Sequence, residues 1–307
     1  MLELNEKLIR KGKAVGLPYV GSKKKISKKI VEIIKQNFGT DKTVYDVFGG
    51  GGAITAELMI NGMDVVYNDL DKTITDMFNR VLSQDREWIK TLIVSREEFM
   101  NIRDKENKTV DDELKLLVNS FGNNRKAYLY GKQLSEIKYK IAVDILENSQ
   151  SLKYNFSNYS KTKIYIDKVF NNEEVFKKSV EKATGRKVMH PLEQIHRLSS
   201  ISYIEQLNIY PQTTNEDYHY FSDVKDSILY LDPPYENSET GSYNSQIDYQ
   251  DFYEWVIQMS KNNIVLLSSY EVSDDRFECV YEFKTASSTF SGGKSGKRTE
   301  KLFMVKS

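Results

Sequence analysis

The sequence has few of the residues that form disulfides or bind metals. Its 307 residues include one cysteine, Cys279, three histidines and five prolines, and the formal net charge is zero. One cysteine excludes an intrachain disulfide, and His190, His196 and His219 lack the spacing of metal ligands, so no metal is expected. No apolar run approaches the roughly 20 residues that cross a bilayer, and residues 1–13 lack a signal peptide's apolar centre. These absences predict a cytoplasmic protein without membrane contact.

Charge is unevenly distributed although it sums to zero. Residues 1–36 carry ten Lys or Arg against three Asp or Glu, and residues 120–190 carry fourteen against seven. Residues 64–119 between them carry thirteen acidic and nine basic side chains. A positive surplus is often only a solvated surface, but it is also the electrostatic footprint of nucleic-acid binding. The two basic regions are therefore candidate DNA-contacting surfaces.

Four consecutive glycines mark the opening of an α/β domain. Residues 43–48 predict a strand, residues 49–52 a tight loop and residues 53–61 a helix. The spacing matches neither the dinucleotide nor the phosphate-loop motif, yet bare backbone lets a bulky ligand lie against the loop. The next predicted strand, residues 64–69, ends at Asp69, where such folds bind ribose hydroxyls; the alternative is a helix cap.

A helix start is predicted just upstream of this unit. Gly21 and Ser22 lie where the helix should begin, so its free N–H groups and dipole could hold an anion within reach of Lys23. Gly-Ser could equally be an ordinary N-cap.

The pattern becomes mainly helical between residues 76 and 197. Helices are predicted at residues 75–82, 112–118 and 136–146. We therefore predict that residues 1–75 and 198–307 form a catalytic domain and that residues 76–197 are an insertion. Within it, residues 120–132 concentrate side chains that contact phosphates and base edges, although a plain surface hairpin fits too. The candidate DNA contacts are Asn123, Asn124, Arg125, Lys126, Tyr128 and Lys132.

The most informative stretch is ILYLDPPY, residues 228–235. Its apolar start predicts a buried strand, which Pro233 and Pro234 force to stop at Asp232. The Asp232 carboxylate, the Pro233 carbonyl and the Tyr235 ring then lie at the carboxyl end of a strand, where open α/β sheets bind ligands. One anion, one further acceptor and one flat face suit a planar ring with an exocyclic amino group. The alternative is a turn whose Asp caps backbone amides.

The rest of the chain completes the predicted sheet. Predicted elements are a helix at residues 190–204, strands at 202–210 and 264–268, a helix at 251–259 and an antiparallel hairpin of 276–283 with 301–305. Asp217 lies near a strand end, residues 236–248 are long enough for a substrate lid, and residues 291–298 are read as a flexible basic loop.

In this order, the motifs resemble the Dam-like DNA adenine-N6 methyltransferases, whose target-recognition region is inserted before the catalytic motif. The resemblance rests on PYVGSK at 18–23, DVFGGGGAI at 46–54, YND at 67–69, SFGNN at 120–124, YLYGK at 128–132, TNEDY at 214–218 and DPPY at 232–235. The SFGNN block and EKLFMV at 300–305 are similar to phage and prophage members. Asp46-Val47 stands where many relatives have Glu-Pro, which keeps the acid.

The resemblance implies an α/β fold, a Rossmann-like S-adenosylmethionine-dependent methyltransferase sheet with an inserted, mainly helical recognition domain. The implied cofactor, S-adenosyl-L-methionine, would contact Tyr19, Lys23, Phe48, Gly50, Gly51, Gly52, Asp69, Asp217 and Asp232. The implied catalytic residues are Asp232, Pro233 and Tyr235, acting on an adenine flipped out of double-stranded DNA. The family further suggests a monomer, with a cognate restriction endonuclease as an open question.

Three other activities fit parts of the pattern. Cytosine-N4 methyltransferases share the geometry but usually carry Ser in place of Asp232. Protein-glutamine or RNA methylation is associated with Asn-led motifs, and the basic insertion fits DNA better. A catalytically silent DNA-binding module would not need the complete set of cofactor residues. The predicted function is therefore site-specific DNA adenine-N6 methylation.

Overall fold

The computed structural model describes residues 1–19, 21–148, 210–236, 247–283 and 299–306, with residues 194, 197, 198, 201, 204 and 207. The chain divides into two compact units. The first comprises Met1–Val15, Ser22–Thr75 and Ile209–Ser307, and the second comprises Gly16–Gly21 and Asp76–Asn208. The assignment of catalysis to residues 1–75 and 198–307, and of target recognition to 76–197, stays a prediction.

A seven-stranded mixed sheet forms the centre of the first unit. Its strands are β1 (Val44–Asp46), β2 (Val65–Asn68), β3 (Gln212–Thr214), β4 (Ile228–Leu231), β5 (Ile264–Ser269), β6 (Phe277–Glu282) and β7 (Lys301–Val305). The order is β3-β2-β1-β4-β5-β7-β6; the first five strands are parallel, and β7 runs antiparallel to β5 and β6. The predicted α/β class and the closing hairpin are confirmed.

The connections of the sheet change direction between β1 and β4. Strand β1 pairs with β2 on one side and with β4 on the other, with Asp46 opposite Tyr230. Connections leave the sheet in opposite directions at this point, which opens a crevice beyond the carboxyl ends of the strands. All four residues of β4 are buried, as expected for a central parallel strand covered on both faces.

Helices α1 (Ser27–Phe38), α2 (Ala53–Ile60) and α8 (Tyr249–Ser260) belong to the first unit. Helix α1 starts later than the sequence predicts, because a 3-10 turn at Lys23–Lys25 precedes it. Helix α8 turns apolar residues at helical spacing, including Phe252, Val256 and Met259, into the core. The chain has 20 tyrosines and 14 phenylalanines, and several of them, such as Phe252 and Tyr253, pack in the core beside the sheet.

The second unit is helical where the structure describes it. Helix α3 (Lys72–Leu82) crosses the division, and α4 (Arg86–Lys90), α5 (Arg96–Arg103), α6 (Val110–Asn119) and α7 (Lys132–Asn148) follow. Three of these helices begin at side-chain caps, Asp85, Ser95 and Thr109, which accept a hydrogen bond from a first-turn N–H. Phe99, Leu116 and Tyr128 form part of its core.

One predicted strand is wrong. Residues 202–210 were expected to be extended, but Ile204 is helical, and the strand that pairs with β2 is Gln212–Thr214. Leu198, Ile201 and Ile204 recur every three residues and are fully buried, so they continue a helical stripe. The loops predicted at residues 236–248 and 291–298 lie largely or wholly outside the described residues.

None of the helices in the described part of the chain combines the length and apolar character needed to cross a membrane.

Candidate active site

The glycine loop and the DPPY turn leave the sheet side by side. The loop follows β1 and the turn follows β4, and these strands are hydrogen-bonded neighbours. The Val47 N–H, just past the end of β1, donates to the Tyr230 carbonyl of β4 at 3.1 Å. Because the strands are parallel, the residues that follow them meet at one edge of the sheet.

The shape of the loop depends on glycine at particular positions. A Cβ at Gly49 would lie 2.3 Å from the ring of Tyr67, so no side chain fits there. Gly50 and Gly52 have φ angles of 48° and 67°, a region that favours glycine. The Tyr67 hydroxyl donates to the Gly50 carbonyl at 2.7 Å, and Gly51 is buried between these two positions. The four glycines therefore fold tightly over β2.

Two carboxylates, the buried Asp46 and the half-buried Asp69, hold this loop in place. Asp69 accepts from the Gly50 N–H and from the Asp71 N–H, each at 2.8 Å. Asp46 accepts from the N–H of Thr55 at 3.1 Å and from its hydroxyl at 2.6 Å, which caps the first turn of α2. Burial raises the pKa of Asp69 to about 6 and that of Asp46 to about 7, because water no longer stabilises the charged form.

Asp232 has a different environment from the loop carboxylates. Its Oδ1 accepts from Lys23 Nζ at 2.6 Å, and its side chain is 16% exposed. Burial raises the pKa of Asp232 to about 6, although the Lys23 charge acts in the opposite direction. Among the described residues, none donates a hydrogen bond to Asp232 Oδ2 or to the Pro233 carbonyl. One oxygen is therefore anchored, and two acceptors remain for another molecule.

Lys23 contacts two residues of the DPPY motif. The resemblance implied a position near the amino-acid end of the cofactor, but its ammonium donates to Asp232 and to the Tyr235 hydroxyl, the latter also at 2.6 Å. The ammonium is 5.0 Å from the centroid of the Tyr235 ring and so lies beyond its hydroxyl rather than over its face. Lys23 therefore holds Asp232 Oδ1 by a hydrogen bond, and its predicted contact with the cofactor stays a prediction.

Glu300 completes a cluster with Lys23, Asp232 and Tyr235, and it is not among the site residues predicted from the sequence. Its carboxylate accepts from the Tyr235 hydroxyl at 2.8 and 2.9 Å and from Ser268 Oγ at 2.9 Å. Lys23 Nζ is 3.7 Å from Glu300 Oε1. The EKLFMV stretch, residues 300–305, predicts a strand and is similar to the family, but it predicts no role for Glu300.

The remaining predicted cofactor residues are distributed as follows. Phe48 is half-buried and packs against Phe252, with ring centroids 5.9 Å apart. Asp217 is exposed and accepts from the His219 N–H at 3.0 Å, with the His219 ring nitrogen 2.6 Å away. Tyr19 is half-buried and belongs to Gly16–Gly21 of the second unit. Their contacts with the cofactor stay predictions.

The SFGNN block forms a tight turn closed by an antiparallel bridge between Ser120 and Tyr128. Tyr128, a predicted DNA contact, is only 5% exposed, and its hydroxyl donates to the Val94 carbonyl at 2.9 Å. Its ring packs on Phe99 with centroids 5.3 Å apart. The prediction for Tyr128 is therefore corrected: its side chain is part of the core of the second unit and supports the turn from beneath.

Other residues of the block face solvent. Asn124 is exposed, and its Oδ1 accepts from the Lys126 and Ala127 N–H groups, while Arg125 pairs with Glu113 at 2.9 Å. Asn123 is half-buried, with φ at 57°. Phe121, which is 62% exposed, Lys126 and Lys132 are exposed as well. The turn thus presents one aromatic ring and two cations.

Comparison with known proteins identifies the family of the chain. A model of the D12 class N6 adenine-specific DNA methyltransferases matches residues 19–258, while no curated protein matches the chain. The match supports neither cytosine-N4 methylation nor a silent module, and it leaves the phage-type origin a prediction. Methyltransferases of this kind generally use S-adenosylmethionine, and their substrate is double-stranded DNA. The chain belongs to the D12 class N6 adenine-specific DNA methyltransferase family, whose activity is adenine-N6 methylation of DNA.

Proposed function

We propose that this protein is a site-specific enzyme in which Asp232 and Pro233 grip the N6 amino group of an adenine flipped out of duplex DNA. The observation that carries the proposal is the state of Asp232. Its Oδ1 is fixed by Lys23, whereas Oδ2 and the Pro233 carbonyl have no donor among the described residues. An amino group offers two hydrogens, and this edge of the sheet offers two acceptors.

The described residues also fit S-adenosylmethionine. Ser22 Oγ is buried without a hydrogen-bond partner among them, next to Lys23, and a buried hydroxyl in that state calls for a polar ligand. The Asp69 carboxylate lies beyond β2 beside the glycine loop, where folds of this kind bind ribose hydroxyls. Gly50, Gly51, Gly52, Phe48 and Asp69 would hold the cofactor, with Tyr19 and Asp217 as the further predicted contacts. When bound, it supplies an electrophilic methyl group on a sulfonium.

The reaction needs the amino nitrogen to become a better nucleophile. In free adenine its lone pair is delocalised into the ring. If Asp232 and the Pro233 carbonyl each accept one hydrogen, the nitrogen becomes pyramidal and its lone pair is localised. The proton lost after methylation leaves to Asp232 or to solvent. Asp232 must be ionised to accept, so activity should rise as pH passes its pKa of about 6.

Positioning would account for most of the acceleration. Well-oriented reactants recover about 7–11 kcal/mol relative to free encounter. An adenine inside the duplex cannot present its amino group to this edge, so it has to leave the base stack. Tyr235, whose hydroxyl is fixed, is proposed to stack on the flipped base, a contact worth about 1–3 kcal/mol.

We propose that the exposed face of the SFGNN turn contacts DNA. Lys126, Lys132 and Asn124 can reach phosphates, and Phe121 offers an aromatic surface for a base. Lys126→Ala should weaken binding equally for all DNA sequences and lower the slope of log affinity against log salt by about 1. Glu106→Ala, at an exposed site of the same unit, is the control. An unchanged salt slope would remove Lys126 from the interface.

One assay tests the proposed function. The protein is incubated with duplex DNA and S-adenosylmethionine labelled on its methyl group, and the DNA is digested to nucleosides. We expect label in N6-methyladenine; label in N4-methylcytosine, or in no nucleoside, would refute the proposal. Sequencing of methylated sites in cells that express the protein would identify its target, and sedimentation would test the expected monomer. We place the activity in the cytoplasm, where such DNA is found.

A further inference from the structure

Glu300 lies outside the span matched by the family, which ends at residue 258. It immediately precedes β7, and its side chain is only 5% exposed. A carboxylate so deeply buried is costly unless donors surround it. Tyr235 and Ser268 supply two donors, and Lys23 lies 3.7 Å away. Two carboxylates, Asp232 and Glu300, therefore share one ammonium.

The hydrogen bonds around Tyr235 run in a fixed direction. An ammonium can only donate, so Lys23 donates to the Tyr235 oxygen. The hydroxyl hydrogen of Tyr235 must then point elsewhere, and the Glu300 carboxylate accepts it at 2.8 Å. The sequence of donors is Lys23 to Tyr235 to Glu300, while a second Lys23 hydrogen goes to Asp232. Glu300 thereby determines how both Tyr235 and Lys23 are held.

We propose that Glu300 is a positioning residue for methyl transfer: it fixes the Tyr235 hydroxyl and, through Tyr235 and Lys23, the orientation of Asp232. This inference rests on the proposed function of Asp232. It explains why the aromatic residue of the motif is a tyrosine here, because a phenylalanine would provide the same face without the link to Glu300. Glu300 itself does not touch the base.

The charge of Glu300 gives the proposal a signature that a packing role would lack. Charged and titratable groups around Asp232 are Lys23, Asp46, Tyr230, Tyr235 and Glu300. Burial is the main cause that raises the pKa of Asp232, Lys23 lowers it, and the negative charge of Glu300 raises it. Removing that charge should lower the pKa of Asp232. The acidic limb of the pH–rate profile should then move to lower pH.

The test uses the full-length enzyme and Glu300→Gln, which keeps the shape and one acceptor but removes the charge. Single-turnover methyl transfer is measured across pH with saturating cofactor and DNA. We expect a loss of about tenfold in rate, unchanged cofactor and DNA affinity, and an acidic limb at lower pH. Glu282→Gln, the same change at an exposed position on β6, should stay within about twofold of wild type.

Tyr235→Phe tests the same link from its other end and leaves Glu300 in place. We expect a comparable loss of rate, with no shift of the acidic limb to lower pH. Combined with Glu300→Gln, it should cost little more than either change alone, since one change removes the donor and the other the charge of the acceptor in the same hydrogen bond.

Three outcomes would overturn the proposal: a wild-type rate and acidic limb in Glu300→Gln, additive losses in the double variant, or a wild-type rate in Tyr235→Phe. If Glu300→Gln does not fold, the rate of Tyr235→Phe decides the question. These results would leave the proposed function intact. A wild-type enzyme that forms no N6-methyladenine would instead refute the proposed function and this inference with it.

Discussion

Two groups of carboxylates lie at the same edge of the sheet and are held in different ways. Asp46 and Asp69 accept from Thr55, Gly50 and Asp71, and each has a backbone N–H among its donors. Asp232 instead accepts from the ammonium of Lys23, 209 positions away in the sequence. Backbone donors cannot move without refolding the loop, whereas a lysine holds one oxygen and leaves the other open.

This difference in donors separates the carboxylates that shape the glycine loop from the carboxylate that is proposed to take part in the reaction. Asp69 accepts from Gly50 in the glycine loop, and Asp46 accepts from Thr55 in α2. These hydrogen bonds therefore define the shape of the glycine loop. The hydrogen bond of Asp232 defines an acceptor, because Oδ2 has no donor among the described residues. Burial raises the pKa of all three carboxyls above the ordinary value. Only at Asp232 does a cation oppose this effect among the largest causes, and this favours the ionised form that the proposed mechanism requires.

The largest effect is expected where the open acceptor is removed. Asp232→Ala should lower methyl transfer by at least about 10²–10⁴-fold, because the amino group loses its anionic acceptor. Cofactor and DNA affinity should remain close to wild type. Single-turnover kinetics and calorimetric titration measure the two separately. Asp223→Ala, an exposed acid shortly before β4, is the control. Near-normal turnover in Asp232→Ala would overturn the mechanism.

A smaller effect, on binding alone, is expected at a backbone-held carboxylate. In Asp69→Asn the amide NH₂ cannot accept, so either Gly50 or Asp71 loses its partner and the loop loosens. Affinity for S-adenosylmethionine should fall about tenfold, with little change in rate at saturation. Asp64→Asn, exposed before β2, controls for the change of charge. If Asp69→Asn lowered the saturated rate and spared affinity, the division between shape and chemistry would be wrong.

The smallest effect is expected at Asp46 and concerns stability. Its pKa in the folded protein, about 7, is above the ordinary value, so the stability gained from the neutral carboxyl is lost as pH rises towards and through 7. Asp46→Asn cannot ionise and can still accept from Thr55. Its melting temperature relative to wild type should therefore increase by about 2–4 °C between pH 5 and pH 8. Thermal melts of the ligand-free proteins at both pH values measure this. A difference that did not vary with pH would show that Asp46 does not titrate in this range.

The parts of the site that local sequence determines were predictable. Two prolines end β4 just before Asp232, and four glycines follow β1 as a tight loop, so both positions follow from neighbouring residues. Glu300 depends instead on the pairing of β5 with β7, which brings it to Ser268 across 32 positions. No local pattern encodes that pairing. The Tyr128 prediction was wrong for a related reason, since residue type and position in a polar block do not reveal which side of a turn faces the core.

The site draws on three distant parts of the chain, around residues 23, 232 and 300. A nascent chain emerging from the ribosome has Lys23 and Asp232 available well before Glu300 is synthesised. Until β7 is in place, Glu300 cannot accept the hydrogen of the Tyr235 hydroxyl. The geometry described here therefore becomes complete only after Glu300 and β7 have been synthesised, and a polypeptide that stops before that point would hold the proposed DNA-modifying residues without their final alignment.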